Sequence, residues 1–318
     1  MLESMRARID ELDMQLADLL SERMRLSEQI GEEKLKLGLP VLDDAREREL
    51  HRRWEKAFSE RGLSPFLAHD MLELVLKESR RVQLRTRKPS EVMIVGEGRM
   101  GILLERCFSD AGNRVTRVGA ASAANAYSGQ KFVILALPPD VRVDLSFAKE
   151  AIVMDIASSK ASIFPRLEKE SQEKGFSYVS AHPLFGAVED PLEERVVIIP
   201  SRTSGDALSE SIELWRDAGF NVIVTSLEVH EVAMSAVQVM VHAHLLSLME
   251  SLEEFKRKTG IDPYYYETRT VRRLRPIIQD VSGNLRVVRE IREQNQHSEE
   301  ALELSLRVFT GIARGEGA

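Results

Sequence analysis

The chain has 318 residues, a formal net charge of −7, 43% hydrophobic residues and 30% charged residues. This composition predicts two or three soluble domains and argues against nucleic acid as the main partner. The single cysteine, Cys107, excludes an internal disulfide and a cysteine-based metal site, and we predict no bound metal. We see no apolar run of membrane-spanning length and no signal-peptide pattern, so we expect a cytoplasmic chain without a membrane partner.

Residues 1–88 contain three long helical patterns and no strand pattern. The first helix carries an apolar seam in steps that alternate between three and four residues. The seam consists of Leu2, Met5, Ile9, Leu12, Leu16, Leu19, Leu26 and Ile30. The position missing from it holds Arg23, and a cation in a packed seam is costly unless an anionic group meets it. Lys34 follows eleven residues later, about 16 Å along the same face.

Two further helices also place polar side chains on their apolar faces. The second has Asp43 or Asp44 as its cap, and Glu47 extends its apolar stripe. The third carries Ser79 and Gln83 among its apolar residues. Taken singly, they have local explanations: Arg23 extends its charge to solvent or pairs with Glu47, and Ser79 and Gln83 form local hydrogen bonds. Taken together, they indicate a polar pocket with an excess of cations and neutral donors, which suits a small anion.

This arrangement resembles the all-helical chorismate mutases over residues 1–86, with the specific motif Pro-Val-x-Asp-x-x-Arg-Glu at residues 40–47. The family's active-site residues are matched by Arg6, Arg23, Lys34, Asp43, Arg46, Glu47, Ser79 and Gln83. The resemblance implies a three-helix bundle that forms an intertwined homodimer, in which Arg6 reaches into the partner's site. The spacing is compatible, because Arg6 and Arg23 are separated by about 260° of helix rotation and do not share a face.

The resemblance also implies how chorismate rearranges to prephenate, a concerted shift that needs no nucleophile. Lys34 and Gln83 would donate to the ether oxygen, which gains negative charge as its bond to carbon breaks. Arg6 and Arg23 would hold the two carboxylates in a compact conformer. Glu47 would bind the ring hydroxyl, Ser79 would support a carboxylate, and Arg46 would orient its neighbours.

Residues 91–225 alternate short β-rich runs with helical runs, which is typical of a Rossmann-type doubly wound parallel sheet. The strand-like runs are VMIVG, RVTRV, FVILAL, AIVMDI, SYVSA, RVVIIP and NVIVTS. A linker at residues 88–90 precedes this region, and the pattern after it is helical. We therefore predict three domains, over residues 1–88, 91–225 and 226–318.

The first strand-like run leads into a Gly-x-Gly-x-x-Gly turn that opens a helix, which is the context of a dinucleotide-binding turn. The residues expected to bind the cofactor there are Gly96, Gly98, Arg99, Met100 and Gly101. A tight turn without ligand is the alternative. Residues 118–122 lack the acid that would bind the ribose 2′-hydroxyl and repel a 2′-phosphate. We therefore favour NADP or mixed use over NAD alone, with Arg117 or Ser122 close to that phosphate.

Two later motifs follow strand-like runs: Asp-Ile-Ala-Ser-Ser-Lys at residues 155–160 and Ala-His-Pro-Leu-Phe-Gly at residues 181–186. Ligands of open parallel sheets bind at the carboxyl ends of strands, so both motifs belong near the cofactor. With the glycine turn they resemble the prephenate dehydrogenases. The resemblance implies that His182 accepts a hydrogen bond from the substrate's ring hydroxyl and takes up its proton as hydride leaves. Ser158 would bond the same hydroxyl, and Lys160 would serve the cofactor or the substrate, or close the turn.

The C-terminal region matches that family less closely. Its QVMVH run ends at His242, which corresponds to a histidine that lines the family's pocket. An ungapped alignment places Glu267 where the family has an arginine that binds the substrate carboxylate. Our choice for that role is Arg269, with Arg272 and Arg273 as alternatives. The acid expected after the His-Pro motif falls at Glu189, and the apolar helices from residue 227 onward would form a dimer interface.

Together the two resemblances imply a fused enzyme on the route to tyrosine. The first region would make prephenate from chorismate, and the rest would decarboxylate it oxidatively to 4-hydroxyphenylpyruvate with NAD or NADP. Three alternatives stay open. The dehydrogenase could use arogenate, the second region could be a β-hydroxyacid or pyrroline-type reductase with a helical arm, or the N-terminal bundle could serve only for dimerisation.

Overall fold

The computed structural model describes residues 1–84, 89–186 and 190–316. Its N-terminal part is a bundle of three helices, α1 (Leu2–Lys36), α2 (Asp44–Ser59) and α3 (Pro65–Leu84). Asp43 caps α2, because its carboxylate accepts a hydrogen bond from the backbone N–H of Arg46 at 3.0 Å. Two residues considered above, Lys88 of the predicted linker and Glu189, lie outside the described residues.

The helices α1 and α3 are in close contact at Gly31. A Cβ at this position would lie 2.7 Å from the Cα of Gln83, so a larger residue would push the two backbones apart. The apolar seam of α1 does not face the rest of its own chain. Its residues stay largely exposed, from 44% for Leu16 to 64% for Leu19.

The described residues form one seven-stranded sheet in the order β2-β1-β3-β4-β5-β6-β7. The strands are β1 (Glu91–Val95), β2 (Arg114–Val118), β3 (Phe132–Leu135), β4 (Ile152–Asp155), β5 (Ser177–Pro183), β6 (Arg195–Pro200) and β7 (Asn221–Val224). Each of the seven strand-like runs overlaps one of these strands, and the doubly wound fold is confirmed. The strand order reverses between β1 and β3, which is where such sheets bind nucleotides.

One pairing departs from the predicted parallel sheet. Strand β6 runs antiparallel to β5, with His182 opposite Val197, whereas β6 and β7 are again parallel. The connection over residues 184–194 explains the reversal. It is shorter than the dozen or so residues that a parallel crossover needs.

Four helices cover the two faces of the sheet: α4 (Arg99–Asp110), α5 (Ala123–Ala126), α6 (Ile163–Lys174) and α7 (Ala207–Asp217). On one face Phe108 of α4 and Trp215 of α7 are completely buried and pack edge to face, with ring centroids 5.1 Å apart. On the other face Leu167 of α6 is completely buried. Because the helices occupy the faces, the carboxyl ends of the strands are left for ligands.

The C-terminal part is helical, with α8 (Leu227–Met234), a π-helical turn (Ser235–Met240), α9 (Val241–Thr259), α10 (Arg269–Gly283), α11 (Leu285–Gln294) and α12 (Ser298–Ala313). The continuous helix Leu227–Thr259 is long enough to cross a membrane, and it contains an 18-residue stretch that is apolar enough, with a mean hydropathy of 1.5. This corrects the expectation that no run of the chain reaches that length. The finding rests on length and composition alone, which the core helix of a soluble protein can share.

Candidate active sites

Arg23 lies half-buried between α1 and α3. Its Nη1 donates a hydrogen bond to the hydroxyl of Ser79 and lies 3.4 Å from the carbonyl oxygen of Val75. Burial lowers the pKa of the guanidinium, but an arginine remains charged at neutral pH. Among the described residues no carboxylate pairs with Arg23, so this face of the bundle offers a positive charge to an anion.

The two predicted ether-oxygen donors lie where α1 and α3 touch. Gln83 is buried on α3, and its amide nitrogen donates to the carbonyl oxygen of Ser79 at 3.0 Å. Gly31, which contacts the backbone of Gln83, is three residues from Lys34 on α1. The ammonium of Lys34 donates to the carbonyl oxygen of Val41 at 2.5 Å, in the segment that leads into α2.

Glu47 pairs with an arginine that sequence analysis missed. The Nη1 of Arg80 donates to the Glu47 carboxylate at 2.7 Å, and its Nη2 donates to Glu193 at 3.2 Å. Burial disfavours the charge of Arg80, but its hydrogen bonds to the two carboxylates outweigh this and raise its pKa. The suggested pair between Arg23 and Glu47 is therefore wrong. Arg80 follows Ser79 within a polar run, so no spacing signal pointed to it.

Two residues of the predicted set lie apart from this group. Arg46 forms an exposed ion pair with Glu49 at 2.6 Å. Arg6 is exposed near the start of α1, about 26 Å along the helix from Arg23. A single chain thus brings Arg23, Ser79 and Gln83 together but leaves Arg6 outside.

The glycine turn after β1 has the shape of a pyrophosphate cradle. A Cβ at Gly96, where φ is 149°, would lie 2.2 Å from the carbonyl oxygen of Ala136. A Cβ at Gly101 would lie 2.2 Å from the carbonyl oxygen of Gly96, so both positions need glycine. A Cβ at Gly98, the cap of α4, would meet nothing within 4 Å. This open space beside a helix N-terminus fits a phosphate, and the half-buried Met100 lies in the first turn of the helix.

Three other residues with predicted cofactor contacts have different surroundings. Arg99 donates to the side-chain oxygen of Asn284 at 2.7 Å, which ties α4 to the helical region. Ser122 is exposed just beyond β2. Arg117 pairs with Glu105 of α4 at 2.6 Å, so its side chain turns towards that helix and is not free for a 2′-phosphate.

Lys160 is completely buried inside the sheet domain. Its ammonium donates to the carboxylate of Asp155 at 2.6 Å and to the carbonyl oxygen of Ala181 at 2.7 Å. Asp155 also accepts hydrogen bonds from the hydroxyls of Tyr178 and Ser180, at 2.6 and 2.7 Å. Burial lowers the pKa of Lys160, and Asp155 opposes the shift. The geometry corrects the expectation that Lys160 contacts the cofactor and leaves it the third role considered, that of closing its turn, which it does by binding groups of β4 and β5.

His182 ends a hydrogen-bonded relay of three side chains. Its Nδ1 lies 2.8 Å from the Nε2 of His230, whose Nδ1 lies 3.0 Å from the carboxylate of Glu231. An ionised carboxylate only accepts, so His230 carries its proton on Nδ1 and its Nε2 accepts from His182. The Nε2 of His182 is then left unprotonated, as a base requires. His230 and Glu231 lie on α8 and were not predicted from the sequence.

The turn after β4, which contains Ser158 and Ser159, is hydrogen-bonded to the C-terminal helical region. Ser158 is half-buried there, while its neighbour Ser159 donates to the side-chain oxygen of Gln294 at 2.8 Å. Ser162 donates to the same oxygen at 3.2 Å. Gln294 is the last residue of α11, so this helix lies over the carboxyl end of β4. No motif in the sequence singled Gln294 out.

His242 lines a cleft of about 730 Å³ between α9, α11 and α12, which is large enough for a small substrate. Its Nδ1 is buried and has no hydrogen-bond partner among the described residues. Burial lowers the pKa of His242, so the ring is neutral at pH 7. Arg289 and Arg292 line the same cleft.

The arginines preferred from sequence lie elsewhere. Arg269 is exposed at the start of α10 and is not among the residues that line the His242 cleft. Arg272 is 3.1 Å from Glu267, the residue at the family's arginine position. The structure therefore does not bring Arg269 to His242, whereas Arg289 and Arg292 were missed because they belong to a charged amphipathic helix without a distinctive motif.

Although we predicted no metal, the structure contains one group of potential ligands among its described residues. His51, His69 and Glu73 have ligand atoms within 4.8 Å of one another, on the surface between α2 and α3. His51 already pairs with Glu73 at 2.8 Å. Neither set of predicted active-site residues includes these side chains.

Two family models match the chain. One is Chorismate mutase type II, over residues 5–84, and the other is Prephenate dehydrogenase, nucleotide-binding domain, over residues 110–224. The T-protein of Enterobacter agglomerans is 26% identical over 259 residues, which are 76% of this chain and 68% of that protein. The two family models and this relative together support a bifunctional chorismate mutase/prephenate dehydrogenase.

Other relatives resemble its parts. The chorismate mutase of Methanocaldococcus jannaschii is 27% identical over 82 residues, 26% of this chain and 83% of that protein. The prephenate dehydrogenase of A. aeolicus, in complex with hydroxyphenyl propionate and NAD+, superposes with a TM-score of 0.55 at 19% identity, over 72% of this chain and 90% of that one. A putative prephenate dehydrogenase of Corynebacterium glutamicum gives 0.57 at 17% identity, over 73% and 84%. At such identities the structures show the fold.

The two domains make the chain an isomerase and an oxidoreductase. Its mutase domain converts chorismate to prephenate. Its dehydrogenase part decarboxylates prephenate oxidatively to 4-hydroxyphenylpyruvate with NAD(P), in aromatic amino-acid biosynthesis.

Proposed function

We propose that the mutase reaction takes place against the junction of α1 and α3, with Arg23, Lys34 and Gln83 as its charged and polar donors. Arg23 binds a carboxylate of chorismate, supported by Ser79. Lys34 and Gln83 donate to the ether oxygen as it gains negative charge, which stabilises the transition state more than the ground state. The observation that carries this proposal is Arg23 itself, a half-buried cation with no described carboxylate partner.

The remaining substrate contacts of the mutase domain follow from α2. Glu47 accepts a hydrogen bond from the ring hydroxyl, and Arg80 holds its carboxylate in place. Asp43 fixes the start of α2, and Arg46 orients the residues around it. Residues 1–88 make up this domain, residues 91–225 the nucleotide-binding domain, and residues 226–318 the helical domain.

In the dehydrogenase, we propose that His182 is the general base. The relay through His230 leaves its Nε2 unprotonated, so it accepts the proton of the substrate's ring hydroxyl as that carbon becomes a carbonyl. Ser158 donates to the same oxygen. The ring becomes aromatic when carbon dioxide leaves. His242 lines the substrate pocket, and Arg289 or Arg292 is better placed than Arg269 to bind a carboxylate.

The glycine turn holds the dinucleotide, which supplies the hydride acceptor. Gly96 and Gly101 shape the turn, and the open side of Gly98 at the start of α4 takes the pyrophosphate. A preference for NADP or mixed use rests only on the missing acid at residues 118–122. The carboxylate of Glu97, the residue between Gly96 and Gly98, lies beside Gly119 at the end of β2, and an acid at this place favours NAD instead.

We further propose a cytoplasmic homodimer. The exposed seam of α1 and the exposed apolar side chains of the C-terminal helices, such as Val237 and Phe309, are two surfaces that a second copy would cover. In such a dimer the partner's Arg6 completes the mutase site, which explains why a single chain leaves this residue outside. Pairing of the C-terminal helices also accounts for the apolar helix Leu227–Thr259 without a membrane.

The whole proposal is tested by incubating the full chain with chorismate and NAD+ or NADP+ and identifying the products. Chorismate alone is expected to yield prephenate, and 4-hydroxyphenylpyruvate should appear only when a cofactor is added. An N-terminal bundle used only for dimerisation would leave chorismate unchanged while added prephenate is still oxidised. A higher kcat/KM for arogenate than for prephenate would show that arogenate is the substrate of the dehydrogenase.

Sharing of the mutase site between chains leads to a complementation prediction. Arg6→Ala and Arg23→Ala chains are each expected to be inactive as mutases. Refolded together, they should recover activity, because a mixed dimer has one site with both defects and one with neither. Mutase turnover is measured after native mass spectrometry shows that heterodimers have formed. Heterodimers without activity would place the whole site within one chain.

A further inference from the structure

The carboxylate of Glu97 lies where a side chain of residue 119 would begin. Glu97 is the residue between the first two glycines of the cofactor turn, and Gly119 follows the last residue of β2. A Cβ built on Gly119 would be 2.7 Å from Oε2 of Glu97 and 3.2 Å from its carboxyl carbon. The backbone of Gly119 is ordinary, with φ of −74° and ψ of 159°, so conformation does not require glycine there. A side chain at residue 119 would, however, have to displace the carboxylate end of Glu97.

The register of the sheet explains why these two residues meet. Val95 is paired with Val118, and the backbone N–H of Gly96 donates to the carbonyl oxygen of Val118 at 2.8 Å. Gly96 and Gly119, the next residues, therefore lie side by side at the carboxyl edge of the sheet, and Glu97 directly follows Gly96. In dinucleotide-binding sheets this is the place where an acid at the end of the second strand receives the hydroxyls of the adenosine ribose.

The charges around this point leave the carboxylate available. Glu97 is exposed, and it forms no ion pair with the described residues. Arg117, the cation two residues before Gly119, is held by Glu105 on the side of α4. The edge at Gly119 thus presents a negative charge although residues 118–122 contain no acid.

We propose that Glu97 is the residue that selects NAD over NADP. This inference rests on the proposed dehydrogenase function. The carboxylate accepts a hydrogen bond from the ribose 2′-hydroxyl and repels a 2′-phosphate, as an acid on β2 would, but it reaches the ribose from the glycine turn. Gly119 is the matching half of the arrangement, because a side chain at that position would displace the carboxylate.

The test measures binding of the cofactors by isothermal titration calorimetry, together with 5′-AMP and 2′,5′-ADP as fragments that differ only by the 2′-phosphate. The unmodified full chain is expected to bind NAD+ and 5′-AMP about tenfold to a hundredfold more tightly than NADP+ and 2′,5′-ADP, the range typical of a charged hydrogen bond. Glu97→Gln should bring the two Kd values within each pair close together. Glu91→Gln, at the first residue of β1 and therefore at the opposite edge of the sheet, is the matched control and should leave both ratios unchanged.

A second variant separates loss of the contact from damage to the turn. In Glu97→Ala/Gly119→Asp the acid moves to β2, and the preference for NAD+ should return. A wild-type chain that binds NADP+ as tightly as NAD+, or a Glu97→Gln chain with an unchanged ratio, overturns the assignment of Glu97. A wild-type chain that binds none of the four ligands instead contradicts the proposed dehydrogenase function.

Discussion

Arg23→Ala is expected to lower the mutase turnover of the full chain about a hundredfold or more, since one charge-directed donor contributes several kcal/mol to the barrier of such sites. The side chain is half-buried against Ser79 and Val75, and no described carboxylate neutralises it. Chorismate consumption measures the effect. Oxidation of added prephenate by the same variant should stay near the wild-type rate, because His182 and the glycine turn lie in other parts of the chain.

Arg25→Ala is the matched control for this prediction. Arg25 lies on the same helix but is exposed, and its one described side-chain contact is with Ser21 at 3.5 Å. Mutase turnover of Arg25→Ala should therefore equal that of the wild type. A normal rate for Arg23→Ala, with the fold intact by circular dichroism, would make Arg23 a structural residue and remove the observation on which the proposed mutase site depends.

The second large effect is expected for His182→Ala. Loss of a positioned general base should lower the dehydrogenase kcat by about a hundredfold to ten-thousandfold. Reduction of the cofactor with added prephenate measures it, and mutase turnover of the same protein is the internal control. His230→Phe breaks the relay that fixes the tautomer of His182, so it should lower kcat more than it raises KM. An unchanged kcat in His182→Ala would exclude this histidine as the base.

The pH profile of the wild type follows from the same buried ring. Burial, the charge of Lys160 and the neighbouring His230 place the pKa of His182 well below its ordinary value of 6.5. The base is active when neutral, so it loses activity only when the pH falls through this lowered pKa. Dehydrogenase kcat/KM should therefore stay level as the pH is lowered through 6.5. A loss of activity centred on 6.5 would show that His182 is more accessible to water than its burial implies.

Strand prediction shows how much of the fold the sequence encodes locally. Each β-rich run overlaps a strand, since short apolar runs bounded by turn residues reflect burial in a sheet. The direction of β6 was predicted wrongly, although a clue was present. The eleven residues between β5 and β6 are too few for a parallel crossover. Direction depends on the connection, which a list of apolar runs does not describe.

The site residues likewise divide into those that a local sequence pattern identifies and those that it does not. Arg23, Ser79 and Gln83 stood out because a polar group on an apolar helix face is visible in a periodic pattern. The glycines of the turn stood out because their spacing serves a backbone shape. Lys160 was misplaced, because a Ser-x-Lys turn looks the same whether its lysine points into the cleft or into the sheet. The lysine points into the sheet because its ammonium pairs with the buried carboxylate of Asp155, 2.6 Å away.

By itself the sequence determined the helical and strand elements, the dinucleotide turn and the polar faces of the mutase helices, because these depend on neighbours a few residues apart. Only the tertiary structure decided which distant groups meet. It joins His182 to His230 across 48 residues, Arg80 of α3 to Glu47 of α2, and the carboxylate of Glu97 to the edge at Gly119. Such contacts depend on how whole elements pack and in which register, and no local periodicity carries that information.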